Sequence, residues 1–140
     1  MRELMNKAGE TGQDNLIAGA FPPAEFTGVT IRALAKETVL ARGTVMAKSS
    51  IDGKLVILGT EAAEEQAASG GKPAVPAETL TAAYILSDDT LVGTEDVGAA
   101  AYRAGCFNTK ALTVAKDYEL TEADRDDLRK YRIVLNDNMQ

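Results

Sequence analysis

The stretch that decides the fold runs from Thr44 to Leu58 and reads TVMAKSSIDGKLVIL. It places Asp52-Gly53 just before a continuous apolar run, and an Asp-Gly pair in that position is a strong signal for a β-hairpin. Upstream, the β-branched segment Val29-Thr30-Ile31 is followed by a turn around Arg42-Gly43. Residues 28–58 therefore predict a β-meander.

Two further strands and a long loop are expected downstream. Residues 59–79 are rich in alanine and glutamate, and Gly70-Gly71 with two prolines interrupts any helix, so this segment predicts a surface loop. The apolar run 82–86 predicts a strand. Residues 97–107, which are rich in small side chains, predict a longer one.

The C-terminal region predicts a capped helix. Thr121 and Asp124 have the spacing of a capping box, which satisfies free N–H groups where a helix begins. Residues 122–131 carry acids in the first turn and bases in the last, as the helix dipole favours. A short helix is expected within 108–114 and a final strand at 133–135. The predicted fold is α+β and mainly β, a small sheet or barrel-like domain with a short helix and one C-terminal helix.

The N-terminal residues differ in composition from the rest of the chain. Residues 1–15 mix charges, glycines and small polar side chains without periodicity, which is typical of a disordered arm. Leu16, Ile17 and Phe21 follow, just before two prolines that prevent a regular helix. We therefore divide the chain into a flexible arm, residues 1–21, and a single β-rich domain, residues 22–140. The three apolar residues either dock onto a partner or pack on their own domain.

Charge and composition argue against most catalytic chemistry. The 140 residues include 15 Lys and Arg, 21 Asp and Glu and no histidine, for a net charge of -6, so a nucleic-acid partner is not expected. Without histidine and with one cysteine, Cys106, the chain lacks Ser-His-Asp and Cys-His arrangements and the usual zinc sites. The pairs Asp88-Asp89 and Glu95-Asp96 do not have calcium-loop spacing. We expect no enzyme activity, no metal and no cofactor.

Hydropathy gives two further expectations. No stretch approaches the roughly 20 apolar residues of a membrane span, and Met1-Arg2-Glu3-Leu4 lacks the apolar centre of a signal peptide. We therefore expect an intracellular product without a membrane partner. Cys106 lies in a predicted strand and is expected to be a small buried apolar group.

Several segments carry a family resemblance. The run AYRAGCFNTKALTV at 101–114 has a Tyr-x-x-Gly-x-Phe pattern followed by a predicted short helix. Upstream, LIAG at 16–19 with Phe21-Pro22, and VLARGTVM at 39–46, occur in a matching order, and the match continues through 118–135. In this order the segments resemble the lambda-type head decoration proteins of phages.

This resemblance implies a function as well as a fold. It implies a homotrimer on the local threefold axes of an expanded phage head, with the N-terminal arm ordered against the major capsid protein. The protein would be made in the host cytoplasm and located on the virion surface, with no catalytic residue. Leu16, Ile17 and Phe21 are then the candidate capsid-binding residues. The loop at 59–79 is longer and richer in alanine than the family pattern.

The alternative is a lipoyl-like or other small ligand-carrying β-domain. Such a domain needs an exposed lysine at a hairpin tip, and Lys48 and Lys54 near Asp52-Gly53 are the candidates.

Overall fold

The computed structural model describes residues 15–137, so most of the predicted arm, residues 1–14, lies outside the described residues. Within the described range the chain forms nine strands, one 3-10 helix and one α-helix. The strands are β1 (Ile17–Gly19), β2 (Glu25–Ile31), β3 (Thr38–Leu40), β4 (Val45–Ser49), β5 (Leu55–Ile57), β6 (Leu80–Leu86), β7 (Thr90–Val92), β8 (Val97–Asn108) and β9 (Ile133–Asn136). The 3-10 helix spans Thr109–Ala111, and helix α1 spans Glu122–Lys130.

The hairpin predicted from residues 44–58 is confirmed. Strands β4 and β5 pair antiparallel, with Lys48 opposite Leu55. The Ser49 N–H donates to the Lys54 carbonyl at 3.0 Å, and the Gly53 N–H donates to the Ser49 carbonyl at 3.1 Å. Gly53 has φ +71°, a left-handed conformation that glycine adopts without steric cost. The Asp-Gly signal therefore marks the position where the chain reverses.

Five strands close into a barrel. Their order is β2-β5-β4-β6-β8, and β8 returns to pair antiparallel with β2. Two contacts complete the ring: a parallel one between Ile31 and Leu55, and an antiparallel one between Ile85 and Tyr102. We call the apolar cluster that joins one face of these strands to Leu40 of β3 and Val92 of β7 the inner core. Its buried members are Ile31, Leu40, Met46, Leu55, Leu86, Val92 and Ala101.

Strand β8 continues beyond the barrel and organises the rest of the chain. Its C-terminal half pairs with β1 antiparallel and with β9 parallel. Gly105 has φ +148°, and a Cβ at this position would lie 2.8 Å from the Phe107 ring. Only glycine fits there, so the Tyr-x-x-Gly-x-Phe pattern has a steric origin.

A second cluster, the outer core, lies between the other face of the sheet and the C-terminal segments. Helix α1 contacts both β6 and β9, and this arrangement buries its apolar side. The cluster comprises Leu16, Val45, Ala47, Val56, Leu58, Ala82, Ile85, Tyr102, Phe107, Leu128 and Ile133. The mainly β class with a barrel and a C-terminal helix is thereby confirmed.

The capping box of helix α1 is also confirmed. The Asp124 N–H donates to Thr121 Oγ1 at 3.1 Å, and the Thr121 N–H donates to Asp124 Oδ2 at 3.0 Å. The Tyr118 hydroxyl donates to the same carboxylate. Burial, followed by this hydrogen bond, raises the pKa of Tyr118 to about 12. Leu128 is buried, whereas Tyr131 ends the helix and is 40% exposed.

The loop at 59–79 is mostly exposed and is anchored at its end by Glu78. The Glu78 carboxylate accepts hydrogen bonds from the Arg32 guanidinium at 2.5 Å and from Ser49 Oγ at 2.5 Å. The Ala63 N–H, inside the loop, donates to the other carboxylate oxygen at 3.2 Å. These donors hold the pKa of Glu78 at about 2. One buried acid thus ties the loop to the hairpin and to β2.

Candidate interaction surfaces

The structure separates the three residues predicted to bind a capsid. Leu16 is 1% exposed and belongs to the outer core, so it packs on its own domain and is not available to a partner. Ile17 lies on β1 opposite Phe107 and is 38% exposed. Phe21, in the bend between β1 and β2, is 84% exposed. Residues 17–19 belong to the domain's sheet, although the sequence placed the domain boundary at residue 22.

Ile17, Phe21 and Phe26 form what we call the hydrophobic strip. Strands β1 and β2 both pair with β8, with Ile17 opposite Phe107 and Phe26 opposite Tyr102, and Phe21 lies in the bend between them. Phe26 is 67% exposed, and its ring meets the Tyr102 ring edge-on at 6.1 Å between centroids. Large apolar side chains exposed together mark interaction sites on soluble proteins.

Phe26 was not among the residues singled out from the sequence. Residues 25–31 alternate in exposure along β2, so Phe26, Gly28 and Thr30 share the outward face. The same alternation is visible in the sequence, where Val29 and Ile31 occupy the opposite face. That period could have placed Phe26 on the surface once β2 was assigned from residue 25.

Two of the segments that carry the resemblance, residues 39–46 and 101–114, contact each other through Arg42 and Tyr102. An Arg42 guanidinium nitrogen donates to the Tyr102 hydroxyl at 2.8 Å and to the Ser87 carbonyl at 2.8 Å. The guanidinium also lies 5.5 Å from the centroid of the Tyr102 ring. Next to it, Gly43 has φ +92°, and a Cβ there would lie 2.9 Å from the Ala111 carbonyl oxygen. These residues have structural roles in joining the barrel to its extensions.

The candidate carrier lysines do not occupy the hairpin tip. The turn is formed by residues 50–53, whereas Lys48 lies within β4. Lys54 lies directly before β5, and its ammonium forms an ion pair with Asp96. The geometry therefore presents neither lysine as the tip residue that a carrier domain requires.

Cys106 departs from the sequence expectation because it is only partly buried. Its register partner on β1 is Gly19, and a Cβ on Gly19 would lie 3.4 Å from the Cys106 sulfur. Glycine leaves the thiol without a covering side chain, which explains the residual exposure.

A second exposed surface lies on the small sheet formed by β3 and β7. Val39 and Leu91 are cross-strand partners and are 62% and 55% exposed. Leu91 also lines a shallow depression of about 300 Å³, together with three acidic residues. We call Val39, Leu91 and these acids the acidic platform; the acids are Glu37, Glu95 and Asp96.

A third surface is basic and aromatic. It is a depression of about 280 Å³ between β6, β8 and the end of helix α1. Its aromatic members are Tyr84 and Tyr131, whose ring centroids lie 6.2 Å apart. An adjoining depression shares Tyr131 and adds Lys48. We call this surface the basic groove, and its cations are Lys48, Arg103, Lys130 and Arg132.

The sequence shows only part of the basic groove. Lys130 and Arg132 lie two residues apart, whereas the other two cations come from β4 and β8, so the fold brings distant bases together. Arg103 binds Glu25 at 3.2 Å, and Lys130 lies 3.6 Å from Asp127, one turn back on the helix. The fold thus concentrates positive charge in a chain whose net charge is -6.

Residues 15–137 contain neither a metal-binding cluster nor a membrane-spanning helix. No group of three or more His, Cys, Asp or Glu side chains in that range is placed to hold a metal ion. Over the same range, no helix is long and apolar enough to span a bilayer.

Comparison with known proteins gives no family assignment: no protein-family model matches the sequence, and no curated protein matches it significantly.

Proposed function

We propose that this protein is a phage head decoration protein of the lambda type. It binds the outside of the expanded head as a homotrimer and stabilises the shell, without a catalytic step. The assembled shell is stabilised by mass action, because the protein binds the intact lattice and not its dissociated subunits.

The observation that carries this proposal is the hydrophobic strip. Phe21 is 84% exposed and lies in the bend between β1 and β2, near the N-terminal end of the described residues. An exposed aromatic ring costs solubility and contributes nothing to the domain's own core, so a binding role explains its position. Ile17 and Phe26 extend the same surface along β8.

The motif residues support the proposal in a second way. Arg42, Tyr102 and Gly105 carry the resemblance, and their contacts are with other parts of the same domain. Residues that form a scaffold suit a structural protein whose binding depends on exposed side chains. Trimeric valency would multiply weak contacts of each strip with the shell.

The test is co-sedimentation with expanded heads of lambda-type phages that lack their own decoration protein. Wild-type protein is expected to sediment with the heads and to raise the temperature at which they disrupt. Replacing Phe21→Ser should weaken binding at least about tenfold, because aromatic anchors dominate interface energies. The matched control is Ile51→Ser, since Ile51 is 45% exposed at the hairpin tip, outside the strip.

Two outcomes would overturn the proposal. Wild-type protein that ignores every expanded head removes the function itself. Binding that is equally strong in the Phe21→Ser and Ile51→Ser variants removes the strip as the docking surface. The carrier alternative has a separate test, because mass spectrometry of protein from its natural host would detect a covalent group on Lys48 or Lys54.

A further inference from the structure

We infer that copies of this chain associate head to tail, with the acidic platform of one copy seated in the basic groove of the next. The occupant of the groove is therefore a second copy of the same chain. Closure of this contact into a ring of three rests on the proposed function, whereas the contact itself does not.

The first argument is charge complementarity. The acidic platform presents three carboxylates around Leu91, of which Asp96 pairs with Lys54. The basic groove presents four cations, of which Arg103 pairs with Glu25 and Lys130 with Asp127. Opposite potentials on two surfaces steer them together and disfavour like-with-like contacts. A chain with a net charge of -6 would otherwise repel its own copies.

The second argument is the apolar content of both surfaces. Val39 and Leu91 project from the platform with more than half of each side chain exposed. In the groove, Tyr84 and Tyr131 provide an aromatic floor between the cations. Specific interfaces have an apolar or aromatic centre with a charged rim, and tyrosine and arginine are enriched there. The platform and the groove share this layout with opposite rim charge.

The third argument concerns symmetry. The two depressions have no lining residue in common: the platform lies on β7 and the start of β8, and the groove lies on β6, the C-terminal half of β8 and the end of α1. An interface between two different patches is heterologous, so each copy uses one patch on each neighbour. Such a contact closes into a ring when the rotation allows, and a ring of three is the state that the proposed function requires.

The experiment measures the mass of the full-length chain in solution by light scattering, at low and at high salt. Wild-type protein is expected to show three times the monomer mass of 14.8 kDa. Arg132→Glu and Glu95→Lys should each weaken association at least about tenfold, because each places like charges together at the contact. High salt should weaken the wild-type contact, since exposed charges are screened within roughly 10 Å at 0.1 M.

Matched controls carry the same charge changes outside the two surfaces. Arg129→Glu alters the exposed position next to Lys130 on helix α1, and the Arg129 side chain does not line the groove. Glu64→Lys alters the exposed loop. Circular dichroism and thermal unfolding establish that every variant is folded. Lys130→Glu is a second groove variant, for use if Arg132→Glu fails to fold.

The decisive variant combines Arg132→Glu with Glu95→Lys in one chain. Each contact then again has one acidic and one basic substituted position, so the double variant should associate more strongly than either single variant. Mixing the two single variants should restore the mass only in part, because a ring of three made of two species has at most two matched contacts. Wild-type protein that is monomeric at about 100 µM, or association that survives both single substitutions, would overturn the inference. Head binding is measured separately, so a failure of the interface remains distinct from a failure of the proposed function.

Discussion

The outer core and the hydrophobic strip contain the same kinds of side chain, but they have opposite relations to water. Leu16 in the outer core is 1% exposed, and Phe21 in the strip is 84% exposed. Only five positions separate them in the sequence. Apolar area contributes to folding only when the folded chain covers it. The first residue therefore stabilises the domain, and the second remains available for association.

The difference arises from neighbours that are distant in sequence. Leu16 is buried in the outer core, which also contains Phe107 of β8 and Leu128 of helix α1. Phe21 lies in a bend that no other element of the described structure covers. The apolar character of a residue in this segment therefore does not show whether it is buried or exposed. Substitutions at Leu16 and Phe21 distinguish the two roles.

The largest effect is expected from Leu16→Ala. Removing a fully buried leucine side chain loses transfer free energy and leaves a cavity, which together cost about 2–5 kcal/mol. Urea unfolding followed by circular dichroism measures the loss. A change below about 1 kcal/mol would show that Leu16 is not part of the core, and the comparison with Phe21 would then fail.

The buried acid Glu78 comes next. Replacing Glu78→Gln removes a charge that faces Arg32 and should lower the free energy of unfolding by about 1–3 kcal/mol at pH 7. The pKa of Glu78 is held at about 2, below its ordinary value of 4.5. Its contribution is therefore complete above pH 4.5 and is lost as the pH falls towards 2.

The pH dependence provides an internal check on this prediction. The difference in unfolding free energy between wild-type and Glu78→Gln protein should narrow between pH 4.5 and pH 2. The control is Glu64→Gln, because Glu64 is exposed in the same loop. A difference in unfolding free energy that stays constant over this pH range would indicate that the Glu78 carboxylate does not anchor the loop.

A smaller effect is expected from Thr121→Ala at the start of helix α1. The substitution leaves the Asp124 N–H without its side-chain acceptor and removes half of the capping box. Loss of such a cap costs about 0.5–2 kcal/mol. Because helix α1 covers the outer core, this loss should appear as cooperative unfolding of the whole domain. Selective fraying of the helix, detected by hydrogen exchange, would contradict that coupling.

The smallest effect on stability is expected from Phe21→Ala. An exposed side chain outside the core should change the free energy of unfolding by no more than about 0.5 kcal/mol. The same urea titration as for Leu16→Ala gives the direct comparison. A loss above about 1 kcal/mol would mean that Phe21 packs on its own domain, and the strip would lose its candidate anchor.

Most of the secondary structure was predictable because its signals are local. The Asp-Gly turn at residues 52–53, the capping box at Thr121 and the apolar runs of β6, β8 and β9 each depend on a few adjacent residues. Backbone geometry and hydrogen bonding act over those same distances. Tyr131 shows the limit, since it lies one turn after the buried Leu128 and yet it ends the helix beside Tyr84 and is 40% exposed.

The candidate surfaces were less predictable, and the sequence identified only some of their residues. The sequence identified Ile17 and Phe21 as apolar residues near prolines, yet it grouped them with the buried Leu16. The basic groove could be found only in part, because its cations on β4 and β8 are tens of residues away from Lys130 and Arg132. Barrel closure between β6 and β8 and the path of helix α1 bring them together.

The mainly β character, the central hairpin and the capped C-terminal helix follow from local conformational preferences and from the period of apolar residues. The packing of the whole domain sets which apolar residues become core and which remain exposed, and where the charges of a net acidic chain collect into opposing patches. Burial and surface potential depend on every element packed around a residue, so they are settled only when the barrel closes and β8 gathers the remaining strands.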